Sequence, residues 1–237
     1  MKRSILTIIL LLLMGGTALA GVCEDWNELD RLVRDNRIAR QEARTIVAAL
    51  HSRLLESYVG QAWGRETAYP LRAYGAKSIG GRNGNGYKPA GYNFYDGNRH
   101  GGHPAQDLFV NDRNQDSLDD RTGKPVEVLA FTGGVVVAVH VGWEYPNGIR
   151  GGNYVWIFNP AEETYQYYAH LAGITVKPGD IVTAGTTIGT LGRSGKNAFR
   201  KRSPTHLHFM ILTYDNGRMT PGNPYRRLIS APAGDKP

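Results

Sequence analysis

Glu127-Val128-Leu129-Ala130-Phe131 and, past Thr132-Gly133, Gly134-Val135-Val136-Val137-Ala138-Val139-His140-Val141 open a stretch of the chain unlike anything before it. Similar runs follow at Asn153–Phe158, Thr164–His170, Thr186–Leu191 and His206–Thr213, each rich in Val, Ile, Tyr or Thr and set off by glycine. Short β-branched and aromatic runs bounded by turn formers predict strands. No helical pattern lies between them, and parallel pairing would need such crossovers, so the strands are expected to pair antiparallel. The fold class is therefore mainly β, an antiparallel sheet or sandwich.

Upstream the texture differs. From Glu24 to about Tyr58 the apolar positions Trp26, Leu29 and Val33, then Val47, Leu50, Leu54 and Tyr58, recur every three or four residues without Gly or Pro. This spacing predicts one long helix, or two with a break near Asn36. Such a stripe cannot bury itself alone and must pack on the β domain or on a partner, as a support or as a plug across a site. Between the two regions, Tyr69 to Gly102 is glycine-rich and aromatic, centred on Gly80-Gly81-Arg82-Asn83-Gly84-Asn85-Gly86-Tyr87. It reads as a long loop region, either disordered or forming a wall whose tyrosines line a groove.

The chain begins with Lys2 and Arg3, an apolar run from Ile5 to Met14, and Ala18-Leu19-Ala20. That is the layout of a secretory signal peptide over 1–20, with the mature chain starting near Gly21 and a secreted or periplasmic product. No later stretch approaches the length of a membrane span. Cys23 invites a lipoprotein reading, but bulky Val22 before it disfavours lipidation. As the only cysteine it forms neither an intrachain disulfide nor a thiolate metal site. The expected organisation is a signal peptide over 1–20, a helical segment over 21–62, a β domain over 63–230 and a disordered tail over 231–237. Net charge is +7, or +5 once Lys2 and Arg3 leave. That suits approach to an anionic cell wall; clustered Lys and Arg with interleaved aromatics, as nucleic acid would demand, are missing.

The chemistry sits in His103-Pro104-Ala105-Gln106-Asp107 and Thr205-His206-Leu207-His208-Phe209. Residues two apart on a strand share a face, so His206 and His208 point the same way about 7 Å apart. His103 and Asp107 add an imidazole and a carboxylate that converge across a tight loop or single helical turn, freed by Gly101 and Gly102. Together these supply three zinc-type ligands and one spare imidazole. A catalytic zinc takes three such ligands and leaves a fourth position for water. His170, ending a predicted strand in Tyr167-Tyr168-Ala169-His170-Leu171, is a further candidate, because hydrolysis also needs a proton acceptor and an oxyanion donor.

In this order His103-x-x-x-Asp107, His170 within Tyr-Ala-His-Leu, and His206-x-His208 resemble the LytM and lysostaphin family of zinc metallopeptidases, peptidase family M23. Pro125–Ala130 followed by Gly133–Val136, then Val176-Lys177-Pro178-Gly179-Asp180, Ile188-Gly189 and His206–Phe209 extend the resemblance over about Pro70 to Leu228. It implies an antiparallel sheet with an open groove, Zn2+ as cofactor and bacterial peptidoglycan as partner. The implied metal ligands are His103, Asp107 and His208, with His170 and His206 as the catalytic pair. Two positions depart from the pattern: Ala105 stands where glycine is common, and Asn159-Pro160 where histidine and glycine usually follow the strand. A non-catalytic wall-binding module or regulator using the same groove is the rival reading.

Asp112, Asn114, Asp116 and Asp120 resemble the opening of a calcium loop, although Ser117 replaces the turn glycine and Gly123 stands where a bidentate glutamate belongs. Gly192-Arg193-Ser194-Gly195-Lys196 completes neither a phosphate loop nor a nucleophile elbow. No His-Glu-x-x-His helix occurs. The Val176–Gly185 hairpin text shared with biotinyl carriers lacks a lysine at a tight hairpin tip.

Overall fold

The computed structural model describes residues 19–233. The expected signal peptide lies outside these except for its last two residues, as does 234–237 of the expected tail. Two helices come first, α1 (Leu19–Arg34) and α2 (Arg40–Ser57). They are joined where Asn36 takes a left-handed conformation (φ +54°), which Asn tolerates better than most residues. Its side-chain amide donates to the Asp96 carbonyl at 2.7 Å and so anchors the turn to the rest of the chain.

Nine strands form one antiparallel sheet: β1 (Gln106–Phe109), β2 (Glu127–Leu129), β3 (Gly134–His140), β4 (Asn153–Asn159), β5 (Thr164–Ile174), β6 (Ile181–Val182), β7 (Thr187–Leu191), β8 (His206–Asp215) and β9 (Arg218–Gly222). Their order is β1-β8-β5-β4-β3-β6, with β9 also on β8, and β7 bridging β5 to β2. The six expected runs are all strands. The tight loop or helical turn expected at His103–Asp107 is instead the approach to β1, which pairs with β8; four residues are too few to show a period by themselves. The short strands β6 and β9 and a terminal helix α3 (Tyr225–Ser230) were equally invisible.

Alternation along the strands divides the interior in two. On one face Val136, Val155, Ile157, Tyr168, Leu207 and Phe209 pack under Tyr69 and Leu71. On the other, Val135, Val137, Trp156, Tyr165, Met210 and Leu212 meet Trp26, Leu29, Val33, Val47, Leu50 and Leu54 of the two helices. Trp26 is the hub of this second core: fully buried, it stacks on Tyr165 with ring centroids 5.3 Å apart and lies against Phe94 and Trp156. Asn27 adds a polar tie by accepting the Val139 backbone N–H at 2.9 Å. Cys23 is fully buried with its sulfur 3.6 Å from the Tyr58 hydroxyl. Burial pushes its thiol pKa up, so it is an inert core residue.

The glycine-rich region is irregular but held. Leu71 bridges to Val128, Ile79 to Leu108 and Lys88 to His103. Tyr87 and Tyr95 donate their hydroxyls to the Pro221 and Gly217 carbonyls, and do not offer them to a groove. At the C-terminal end Pro232 still accepts the Tyr69 N–H at 2.9 Å.

Because Trp26 joins α1 to the sheet, Trp26→Ala should lower unfolding stability by about 3–5 kcal/mol. Denaturant unfolding followed by tyrosine fluorescence checks this; an unchanged midpoint would mean the helices add nothing to the sheet.

Candidate metal centre

Register builds the site. In the β1–β8 pair Asp107 stands directly opposite His208, and Phe109 opposite His206. Paired residues share a face, so the carboxylate and both imidazoles emerge together. His103 arrives just before β1, fixed by reciprocal backbone hydrogen bonds with Lys88 of 2.8 and 2.7 Å. His103 Nε2 and His208 Nδ1 each lie 3.1 Å from Asp107 Oδ1. One ligand atom from each of the three residues falls within 4.8 Å of the others, and this is the group able to hold a metal ion among the described residues.

The donor set fits zinc. Ligand atoms bound tetrahedrally at about 2.0–2.1 Å lie roughly 3.3 Å apart, close to the two separations seen. His103 Nδ1 donates to the Gly86 carbonyl at 2.9 Å, which leaves the Nε2 lone pair for a metal. Electrostatics agree. Burial opposes ionisation of Asp107, yet hydrogen bonds from His103 and His208 hold its carboxyl well below the usual carboxylate range. Burial likewise opposes a charge on His103, but the Asp107 contact outweighs it and raises the pKa; for His208 burial wins and lowers it.

His206 and His170 flank these three. Their ring centroids are 4.9 Å apart, and His206 Nε2 is 3.8 Å from Asp107 Oδ1. Each is oriented through a backbone carbonyl: His206 Nδ1 lies 2.7 Å from the Pro204 oxygen and His170 Nδ1 2.8 Å from that of Ser194. With Nδ1–H so engaged, both present an Nε2 lone pair to the site. His170 sits where β5 leaves β8, after Ala169↔His208, and joins β7 at Leu171↔Leu191. Its φ of +71° turns the side chain into the site, at the strain such a conformation carries outside glycine. Burial first, then the neighbouring His206 and His208, hold its pKa well below the ordinary histidine value.

Sequence reasoning missed these orienting groups. Ser194 belongs to the stretch rejected as a phosphate loop; its hydroxyl donates to Leu171 and accepts from the Asn153 N–H, both at 2.8 Å. Gly195 beside it has φ +105°, and a Cβ there would lie 2.4 Å from the Arg150 carbonyl and 3.0 Å from His170 Nδ1. A glycine with no motif around it was the available signal. At the calcium-like stretch, Asp112 accepts from the backbone of Asp116 and Ser117 and from the Thr205 hydroxyl, and Asp120 accepts from the Arg113 N–H. Asn114 and Asp116 likewise accept backbone N–H groups. The loop thus steadies the start of β8.

No helix residue lines the cavity at the metal triad. A second cavity, of about 80 Å³, adjoins it and shares His100, Arg150, Gly151, Tyr167 and His208. Its far wall is α1, through Asp30, Val33 and Arg34.

Fold and site together define a metal-centre β domain. Residues 114–221, which include His170, His206 and His208, match the model of peptidase family M23. Lysostaphin of Staphylococcus simulans is 32% identical over 152 residues, 63% of this chain and 26% of its own length. Glycyl-glycine endopeptidase ALE-1 of Staphylococcus capitis is also 32% identical over 152 residues, 36% of its length. The chain therefore spans about a quarter to a third of these curated relatives. The solved catalytic domain of lysostaphin from Staphylococcus simulans is 28% identical, with 61% of this chain and 88% of that chain covered and a TM-score of 0.40. Over this region the chain is therefore similar to peptidase family M23 and to the lysostaphin-type enzymes within it.

Two measurements follow from this geometry. Purified protein should bind one zinc per chain; Asp107→Ala and His208→Ala should abolish stoichiometric binding, while His206→Ala keeps it, as elemental analysis will show. The second concerns Asp30, whose pKa burial pushes up to about 6, against the hydrogen bond from Tyr154. An acid with a raised folded-state pKa contributes stability below its unfolded pKa and loses it as pH rises through the folded value. Ionised Asp30 therefore burdens the fold at neutral pH. Asp30→Asn should raise stability at pH 7.5 by up to about 2–3 kcal/mol, and the gain should close by pH 4 in calorimetry.

Proposed function

We propose that this chain is an exported zinc metalloendopeptidase that hydrolyses peptide crosslinks or stems of bacterial peptidoglycan. What carries the reading is the convergence of His103, Asp107 and His208 within ligand distance beside two further imidazoles whose Nε2 atoms face the same space. A purely binding groove has no use for that pair. Within this reading 1–20 is the signal peptide, 21–62 the helical support and 63–230 the peptidase domain. Among the described residues no helix is long and apolar enough to cross a membrane, and the basic surface suits an anionic wall.

His103 Nε2, Asp107 and His208 Nδ1 would hold the metal. Zinc supplies a Lewis acid for the scissile carbonyl and lowers the pKa of its water to about 7. His206 is the base: its Nε2 stands beside the ligand cluster, with Nδ1 tied to Pro204, and it returns the proton to the leaving amine. His170, with Nδ1–H on the Ser194 carbonyl, donates to the developing oxyanion as the imidazolium, which it becomes by taking a solvent proton at Nε2 as negative charge builds beside it. Its burial keeps it neutral at rest, so it does not repel the metal.

Digestion of purified wall fragments by the mature protein should release peptide fragments identifiable by mass, and chelator should stop it. His170→Ala and His206→Ala should retain zinc yet lower turnover by roughly 10²-fold or more. Tight wall binding with no cleavage would instead make the chain a binding module.

A further inference from the structure

We infer that the cavity beside the metal triad, walled by α1, is a subsite for a primary ammonium group on an apolar stem, held by the carboxylate of Asp30. This rests on the proposed peptidase reading and specifies it: the residue next to the scissile bond would be a diamino acid with its side-chain amine free. The wall that makes the subsite comes from α1 and the segment around Tyr92, both outside the residues that match the family model.

Asp30 is only 6% exposed. Its Oδ2 accepts the Tyr154 hydroxyl at 2.5 Å, but among the described residues no cation lies within ion-pairing distance of it. The guanidinium groups on the same cavity make their short contacts elsewhere, although Arg34 also donates to the Tyr154 hydroxyl at 3.4 Å and so offsets part of the Asp30 charge from a distance. Arg34 pairs with Asp35 through two hydrogen bonds of 2.8 and 3.0 Å, and Arg150 donates to the His100 carbonyl. A carboxylate has about four acceptor sites, so Asp30 retains capacity. A buried charge without a direct ion pair is expensive in a fold, and a cation from outside at contact distance would relieve it further than Arg34 does.

The rest of the wall suits such a cation and its stem. Tyr92, Phe94, Trp156 and Tyr167 line the cavity, with Val33 and Met210. Aromatic faces attract ammonium groups, most strongly where water is excluded, and their carbon surface accepts methylenes. The hydroxyls of Tyr92 and Tyr167 receive no hydrogen bond from a described residue, so both are available as acceptors. His208 and Tyr167 belong to both cavities, which places a stem entering the second one beside a bond lying over the first.

The test has a binding arm and a cleavage arm. Pentylammonium and pentanol, the same stem with charged and neutral heads, are titrated into the zinc-loaded protein and followed through the Trp156 indole N–H in nitrogen-proton spectra. Pentylammonium should bind at least tenfold more tightly in the wild type, and Asp30→Asn should erase the difference while still binding pentanol. Equal affinities in the wild type, or a preference that survives in Asp30→Asn, would overturn the subsite. In the cleavage arm, acetylating the side-chain amine of a wall peptide should lower kcat/KM at least tenfold for the wild type and leave the Asp30→Asn value unchanged. An equal loss in the variant would also overturn it. If no peptide is cut although pentylammonium is selected, the peptidase reading fails and the subsite stands.

Discussion

The antiparallel register that sets Asp107 opposite His208 is the constraint on which the site depends. Side chains on a strand alternate faces, so a slip of one residue between β1 and β8 would send the carboxylate and the imidazole to opposite sides of the sheet. The same slip would move Leu207 and Phe209 out of their core. The burial of those apolar residues therefore enforces the meeting of two ligands a hundred positions apart in the chain. Hydrophobic packing, which has no chemical role, supplies the precision the metal centre needs.

That division explains what was legible in the sequence. Strands β3, β4, β5 and β8 announce themselves because burial on both faces demands long β-branched runs, and His206-x-His208 is legible because alternation fixes their common face. The helical stripe from Trp26 to Tyr58 was equally plain, and of the two readings it allowed, one helix or two with a break near Asn36, the structure adopts the second. Strand β1 was hidden: Gln106-Asp107-Leu108-Phe109 is a strand because β8 lies beside it, and no local period reports a partner. The carbonyls that orient the histidines were hidden for a related reason. Backbone oxygens of Gly86, Ser194 and Pro204 carry no side-chain signature, and what brings them near is the folded chain.

His170 shows how an irregularity can serve chemistry. A regular strand would have carried β5 on along β8, with its side chains alternating between the two cores. Instead β5 changes partner at this residue, and the register shift beside it lets the strand bend toward β7. The positive φ of His170 would be hard to keep in isolation. It is fixed by the residue's own backbone, whose N–H donates to Gly151 and whose carbonyl accepts from Gly192, both at 2.9 Å. Glycines at 152 and 195 let those neighbouring segments approach, since a Cβ at either would meet backbone within 2.4 Å.

Helices and metal centre share one face of the sheet, and this has a consequence for access. Along β8 the face runs from His206 and His208, which line the metal cavity, to Met210 and Leu212, which are covered by the helical layer. Covering the middle of the face shortens what would be an open groove into a site at the sheet's end. At the border between the two, α1 does not seal against the sheet but stands back far enough to leave a cavity. The helix places a carboxylate there whose ionisation opposes folding at neutral pH. Packing alone would favour a methylene-rich side chain at that position, because Val33 one turn later is already part of the core. The Tyr154 hydroxyl and the nearby Arg34 hold that carboxylate in place at the edge of the void, so the helix contributes a fixed charge, and not only apolar cover, beside the metal centre.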